Sequence, residues 1–213
     1  MSRTLKEVVQ LRSASVTEFR SIIKQIEKDT PYNVKHYEPL HVAVRKYHSS
    51  PNGDVTIFRS EIARLDMEVA RAMSKRDQIR PRSNVEVLQG YADHHASPFR
   101  RALPGLPGNF KSYRWNVNGL VITGKPHLLV EGKDGRPKYV YLSTTKAWEA
   151  EDIRFAANLL GNIVTTNVPD VLLKDVEVLD CRTGSRVVAK PLGKRDQQAL
   201  QELAALLCER GLN

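Results

Sequence analysis

The spacing of apolar and polar residues predicts two helices in the first third of the chain. A capping box over residues 15–18 opens the first helix, which ends before Thr30-Pro31. Apolar residues recur at helical spacing over residues 56–75 and predict the second helix. Between them, Leu40 to Tyr47 fits either a strand or a short helix, and residues 49–53 form a turn.

The pattern weakens between residues 80 and 110. Pro81 and Ser83 predict an interruption of the chain, and Val85 to Leu88 is a possible short strand. Residues 98–108 contain three prolines and two glycines, which predicts a loop.

Strand patterns dominate the next forty residues. Apolar runs at 120–122 and 128–130 and an alternating run at 139–142 each fit a strand, and Asp134-Gly135 supplies a hairpin turn. A helix is then predicted from Trp148 to Leu160, with Gly161 as its end.

The C-terminal part is predicted to add a strand pair and a closing helix. The strands cover residues 176–181 and 186–189, and the helix covers residues 196–210 with inward leucines at 200, 203, 206 and 207. These elements predict an α/β (α+β) fold with a mixed central sheet flanked by helices and a helical N-terminal part. Residues 1–53 would form a helical extension and residues 54–213 the core, a division that leaves open one continuous domain.

The segment with the hairpin resembles the centre of the PD-(D/E)XK nuclease superfamily, most closely its RecB-like exonuclease branch. That branch reads G-x-x-D, a hairpin, and then (D/E)-x-K-T. Gly124 stands at the family's glycine and Thr144 at its threonine. However, His127 takes the place of the metal-binding aspartate, Tyr141 that of the second acid, and Ser143 that of the catalytic lysine.

The resemblance therefore implies a nuclease-like fold that has lost the nuclease chemistry. Metal-dependent hydrolysis of a phosphodiester needs carboxylate oxygens for the metal and a positive group near the attacking water. We expect no cofactor, and Mg²⁺ or Mn²⁺ if the protein is active after all. A rearranged site around His127 is an alternative, although Glu131 lies about four residues, or ~13 Å, along the strand from it.

The family also takes an acid from a helix that precedes its sheet. Glu61, Glu68 and Glu86 are the candidates for this position, and the sequence does not choose among them. Ordinary helix-surface charges are the competing interpretation of all three.

Composition excludes some classes of protein. With 41% hydrophobic and 27% charged residues, the 213-residue chain is typical of a soluble globular protein. It contains no apolar run of the ~20 residues that a membrane helix needs, and no secretory signal. The two cysteines suggest neither a disulfide framework nor a metal site. We expect a cytoplasmic protein with no membrane partner.

The net charge of +9 is concentrated in one segment. Residues 75–114 hold eight Lys/Arg against three Asp/Glu, and aromatic residues lie between them. Arginines beside aromatic rings suit phosphate contact and base stacking, while a merely basic, solvated surface is the alternative. The candidate nucleic-acid-binding residues are Arg80, Arg82, Arg100, Arg101, Lys111 and Arg114. The six histidines show no metal-binding spacing, and we expect those other than His127 at the surface.

The sequence thus predicts a non-catalytic nuclease-like protein. It would bind nucleic acid, DNA rather than RNA, or serve in a DNA-processing, mobile-element or defence complex. Two alternatives remain: an active metal-dependent nuclease with a site rearranged around His127, and a protein-interaction scaffold that binds no nucleic acid. The oligomeric state stays open.

Overall fold

The computed structural model describes residues 2–28, 36–97, 103, 112–146 and 148–209. Within these residues, helices and two mixed sheets give an α+β architecture, which confirms the predicted fold class. The helices are α1 (Leu5–Ser13), α2 (Val16–Lys28), α3 (Glu38–Ser49), α4 (Thr56–Arg71), α5 (Lys75–His94), α6 (Ala150–Asn167) and α7 (Lys194–Glu209). The strands are β1 (Ser2–Thr4), β2 (Tyr113–Val117), β3 (Leu120–Gly124), β4 (Leu128–Glu131), β5 (Pro137–Ser143), β6 (Val176–Asp180) and β7 (Arg186–Val188).

The strands divide between two sheets. A three-stranded sheet has the order β1-β3-β2, and a four-stranded sheet has the order β4-β5-β6-β7. In the larger sheet β4 and β5 form an antiparallel hairpin, whereas β5 and β6 are parallel. Helix α6 makes the connection between the two parallel strands, as such a pair requires.

Helices cover both faces of the four-stranded sheet. Tyr139 of β5 and Val178 of β6 belong to a first hydrophobic core, which includes residues of α1, α6, α7 and β3. Val140 and Leu142 point the other way, into a second core with α3, α4 and α5. The side chains of a strand alternate between its faces, so one strand contributes to both cores.

Residues on both sides of the predicted boundary at 53/54 share these cores. Strand β1 pairs in parallel with β3, and Val8 of α1 is fully buried in the first core. Leu40 of α3 and Phe58 of α4 are both buried in the second core.

Several local predictions are confirmed. The backbone N–H of Ser15 donates to the Glu18 carboxylate at 2.9 Å, as the capping box at the start of α2 requires. The hairpin between β4 and β5 contains Gly135 with a φ of +71°, a left-handed conformation that favours glycine. The open choice at Leu40 to Tyr47 is resolved as a helix, α3.

The predicted break at Pro81 and Ser83, and the strand at Val85 to Leu88, are wrong. Helix α5 runs through all of these residues. Pro81 is buried within it, and Val87 and Leu88 are fully buried in the second core. An interior proline costs a helix about 3 kcal/mol, but burying apolar side chains from the same helix offsets that penalty.

Gly161 does not end its helix, which continues to Asn167. A Cβ at this position would lie 2.6 Å from the Cβ of Ala189, so the glycine permits close packing of α6 against the end of β7. Leu206 was expected to face inward, yet 36% of it is exposed. None of the helices in the described ranges is long and apolar enough to span a membrane.

Candidate functional site

Four ring-bearing side chains meet where the resemblance puts the nuclease centre. The ring centroids of His127 and Tyr141 lie 4.4 Å apart, and His41 of α3 lies 4.3 Å from His127. Trp148 stacks on Tyr141 at 6.3 Å, with its plane tilted by 18°. We call His41, His127, Tyr141 and Trp148 the ring row.

The backbone of the hairpin sets the position of His127. Leu128 pairs with Val140, which puts His127 opposite Tyr141. The His127 N–H donates to the carbonyl of Val140 at 2.7 Å, and the Leu142 N–H donates to Nδ1 of His127 at 2.9 Å. The imidazole thus accepts the hydrogen bond that a strand carbonyl would otherwise take. Because Nδ1 is an acceptor, a neutral ring carries its proton on Nε2.

The environment keeps the ring row uncharged at neutral pH. Burial lowers the pKa of His127 well below its usual value, and the charges of His41, Lys125 and Arg45 act in the same direction. Burial, with Arg45 and Lys125, also lowers the pKa of His41 to about 4. Burial raises the pKa of Tyr141 to about 12. Two neutral imidazoles and a neutral phenol therefore occupy this place.

The chemistry of these donors does not suit Mg²⁺. Mg²⁺ requires oxygen ligands, and the ring row contains no carboxylate. Nowhere in the described part of the chain do three or more His, Cys, Asp or Glu side chains come together as a metal site. Ser143, at the position of the family's lysine, is 1% exposed, and its hydroxyl has no hydrogen-bond partner among the described residues.

The three candidate helix acids have different surroundings. Glu61 and Glu68 both pair with Arg64 on α4, as ordinary helix-surface pairs do. Glu86 on α5 instead forms an ion pair with Lys146 at 3.0 Å, and another with Arg182. Of the three, Glu86 therefore reaches the loop that follows β5.

Arg182 organises this second part of the site. Its side chain is 9% exposed, and its Nε donates to the carbonyl of Thr144 at 2.9 Å. Its Nη2 donates to the Ser83 hydroxyl at 3.1 Å. The hydrogen bonds from Arg182 and Lys146 lower the pKa of Glu86. Arg182 thus links the loops that follow β5 and β6 to α5.

We call Lys146 and Arg182, which both pair with Glu86, together with the exposed Arg82 one helical turn before Glu86 on α5, the cationic edge. Lys146 is 69% exposed on its side chain, and Arg82 is exposed immediately before Ser83 on α5. The cationic edge lies at the carboxyl ends of two neighbouring parallel strands, where open α/β sheets commonly bind ligands.

The predicted nucleic-acid-binding residues are not all brought together. Arg80 and Arg82 are exposed on α5. Arg114 is exposed on β2 of the other sheet, where its carbonyl accepts a hydrogen bond from Asn167. Arg100, Arg101 and Lys111 lie outside the described residues.

A cavity of about 720 Å³ lies beside Trp148, among α1, α2, α7 and the start of α6. Several of its charged groups already have partners within the protein. Arg12 bridges Glu151 at 3.1 Å and Asp196 at 2.8 Å. Asp152 accepts the Glu149 N–H and caps α6. The cavity contains more carboxylates than arginines, which disfavours an anionic ligand.

Sequence reasoning missed several of these residues. His41 joins the ring row from the distant helix α3, and Trp148 joins it from the segment between β5 and α6. Arg182 and Lys146 had the pattern of ordinary turn and loop residues. The expectation of surface histidines is wrong for His48 and His95. His48 is 2% exposed, with Nε2 2.6 Å from the Tyr91 hydroxyl, and His95 is 8% exposed, with Nε2 2.8 Å from the Asp180 carbonyl. Each of these buried rings thus has a hydrogen-bond partner within the protein.

Comparison with models of known protein families finds no match, and comparison with curated proteins finds none either. The chemistry of the ring row and the cationic edge is therefore what indicates a function.

Proposed function

We propose that this protein is a non-catalytic, nuclease-like protein that binds nucleic acid, DNA rather than RNA, through its cationic edge. One observation carries the proposal: the carboxyl end of β5 and the loop after it hold uncharged rings on one side and clustered cations on the other. The order of elements adds support, since a hairpin, a helix and a parallel strand follow one another as the resemblance implies.

The ring row supports the loss of catalysis. A phosphodiester transition state accumulates negative charge, and nucleases stabilise it with metal ions and positioned cations. His41 and His127 are neutral at pH 7, and Tyr141 titrates far above it. These groups supply neither a metal-binding carboxylate nor a fixed positive charge.

The cationic edge supports the binding of a polyanion. Lys146 and Arg82 are exposed and can reach phosphates, while Arg182 is held in place by Ser83 and Thr144. Cations that contact phosphates release counterions, so their contribution to affinity falls steeply with salt. A partly buried arginine that is already oriented loses little side-chain entropy when a ligand binds.

Charge reversal at the cationic edge tests the binding. Lys146→Glu and Arg82→Glu are each expected to weaken fluorescence anisotropy binding to single- and double-stranded DNA by roughly tenfold at low salt. Each should also reduce the slope of log affinity against log salt by about 1. Lys174→Glu is the matched control, since Lys174 is exposed at a distant short 3₁₀ helix.

Equal losses in all three variants would count against this surface. Absence of any DNA or RNA binding at low salt would contradict the proposal. If a stoichiometric protein partner then co-purified without nucleic acid, the scaffold alternative would be favoured.

A cleavage assay tests the loss of catalysis. We expect no cleavage of linear, nicked or single-stranded DNA, or of RNA, in Mg²⁺ or Mn²⁺. Mn²⁺ is the fairer trial, because an imidazole suits it better than Mg²⁺. Cleavage that disappears in a His127→Ala variant would establish the alternative of a nuclease rearranged around that residue.

A further inference from the structure

One exposed face of α4 carries small and apolar side chains where a surface helix normally carries charges. The exposed residues of this face follow one another at alternating steps of four and three positions: Thr56, Ser60, Ala63, Met67 and Ala70. The opposite face holds Phe58 and Leu65, which are buried in the second core. Helix α4 therefore has two faces that suit burial, and the described part of the chain covers one of them.

Large apolar side chains are exposed in the middle of α4 and at both of its ends. Met67 is 53% exposed within the helix, Val55 is 46% exposed at its N-cap, and Met73 is 100% exposed just beyond its last turn. Methionine and valine are among the residues most often buried, so their exposure along one helix points to an interaction surface. We give the name α4 row to Val55, Thr56, Ser60, Ala63, Met67, Ala70 and Met73.

Two antiparallel copies of α4 would match along the α4 row. With Ala63 of both copies at the crossing point, Ser60 of one copy lies opposite Met67 of the other, because they are about 4.5 Å and about 6 Å from Ala63 along the helix. Val55 and Met73 lie about 12 Å and about 15 Å from Ala63 in opposite directions, so the exposed apolar ends of the two copies also meet. Small residues at the crossing point let the two helices approach closely.

The charges beside the α4 row are complementary in this arrangement. Arg59 and Asp66 are both exposed on the same side of the row, and neither forms an ion pair within the described residues. In the antiparallel pair, Arg59 of each copy lies beside Asp66 of the other, so two-fold symmetry forms this ion pair twice. A parallel pair would instead place Arg59 beside Arg64 of the other copy, which is a like-charge contact.

The other charges of this segment do not oppose self-association. Arg64 lies on the other side of the row, near its own counterpart, but within each copy it is already paired with Glu61 and Glu68. Residues 54–77 contain five Lys/Arg and five Asp/Glu, so the segment as a whole has no net charge that would repel a second copy. Antiparallel packing also brings the positive end of each helix dipole to the negative end of the other.

We propose that this chain forms a two-fold symmetric homodimer through the α4 row, with the two α4 helices antiparallel. This inference goes beyond the proposed function and does not depend on it, because the cationic edge lies on α5 and on the loops after β5 and β6. The 16 residues of α4 form a helix of about 24 Å, so the interface is at the small end of specific protein interfaces. We therefore expect a dissociation constant in the micromolar range.

Sedimentation velocity of the intact chain, purified free of nucleic acid, measures this association directly. Between about 1 µM and about 500 µM, we expect the weight-average mass to rise from that of one chain towards that of two. Added salt should weaken the dimer without abolishing it, because salt screens the ion pairs but not the apolar contacts. A protein that stays monomeric over this range would contradict the proposal.

Charge reversals test the antiparallel register. Arg59→Asp and Asp66→Arg each create two like-charge contacts in the dimer, so each should raise the dissociation constant by about tenfold or more. An equimolar mixture of the two variants should associate as the unmodified protein does, because each of these contacts in the mixed dimer again joins an acid to a base. The residues three and four positions away from both sites are uncharged, so neither reversal breaks a charge pair within α4. Failure of the mixture to associate would contradict the antiparallel arrangement.

Met67→Glu tests the apolar part of the interface. A carboxylate buried opposite Ser60 has no partner there, so the dissociation constant should rise by about tenfold or more. Leu172→Glu is the matched control, because Leu172 is also an exposed apolar residue, at 47%, but lies just before the short 3₁₀ helix that precedes β6. Since both positions are exposed, circular dichroism should match that of the unmodified protein. Unchanged association of Met67→Glu, or an equal loss in Leu172→Glu, would show that the α4 row is not the interface.

Discussion

The ring row and the cationic edge share a strand end but differ in charge. Tyr141 and Lys146 lie five residues apart in the chain. Tyr141 is on β5 and packs against the first core, whereas Lys146 is in the exposed loop after β5. Burial favours the neutral forms of the side chains in the ring row. In the cationic edge, contact with solvent and with the Glu86 carboxylate stabilises the charged forms of the basic side chains. A nuclease needs charge in both places, so the difference between them is the basis for proposing binding without cleavage.

The two regions are also held in different ways. The ring row depends on backbone hydrogen bonds of the hairpin, which orient His127. The cationic edge depends on α5, because Ser83 and Glu86 hold Arg182. A change that displaces α5 should therefore disturb the edge more than the rings.

Gly90→Ala should produce the largest loss of folding stability among these predictions. A Cβ at Gly90 would lie 1.9 Å from the carbonyl oxygen of Cys181, a backbone atom that cannot rotate away. We expect α5 to shift from β6, with a loss of about 3 kcal/mol in the free energy of unfolding. Urea unfolding measures this, and DNA binding by the remaining folded protein should also weaken.

Gly193→Ala is the matched control, because a Cβ there meets no atom within 4 Å. It should change stability by less than about 1 kcal/mol. Equal stability of the two variants would show that α5 does not depend on its close approach to Cys181.

The hairpin between β4 and β5 could be predicted from the sequence, whereas helix α5 could not, and the reason is physical. The strands around Asp134-Gly135 follow from local rules, since alternation and turn residues act over a few positions. Helix α5 does not follow from local rules. The local penalty of Pro81 is outweighed by the burial of Val87 and Leu88 against a sheet that is distant in the sequence.

The candidate site was predictable in the same uneven way. The hairpin register brings His127 and Tyr141 together, and both positions could be named from the resemblance. His41 and Arg182 reach the site from other elements, through contacts with no trace in sequence spacing. Arg182 looks like a turn residue until its 9% exposure is known.

Acidification should lower the free energy of unfolding by an intermediate amount, through the histidines of the ring row. The pKa of His41 falls from 6.5 to about 4 in the folded protein, so below pH 6.5 the unfolded chain binds a proton that the folded chain does not. Stability should therefore decrease as the pH falls from 6.5 to 4. The expected loss from His41 is roughly 1–2 kcal/mol at pH 5, and His127 acts in the same direction.

His41→Gln tests this contribution. Arg45, Lys125 and His127 face the ring and remain in the variant, so the lost pH dependence is that of His41 together with its effect on the pKa of His127. Urea unfolding of both proteins between pH 7.5 and 4.5 measures the two slopes. Parallel curves would mean that His41 titrates near its ordinary value and that the ring row is charged in weak acid.

Glu86→Gln should produce the smallest change in stability and the clearest change in binding. Glu86 is half-exposed, and exposed ion pairs contribute about 1 kcal/mol or less. Arg182 keeps its hydrogen bonds to Thr144 and Ser83, so it should stay in place. Without the carboxylate, Lys146 and Arg182 no longer have an internal anion that competes with phosphate. We therefore expect DNA affinity to rise by a few fold at low salt and this gain to shrink as salt screens the charges.

Glu61→Gln is the control, since Glu61 pairs with Arg64 away from the cationic edge. Weaker DNA binding in Glu86→Gln alone would mean that this carboxylate organises the edge for its ligand instead of competing with it.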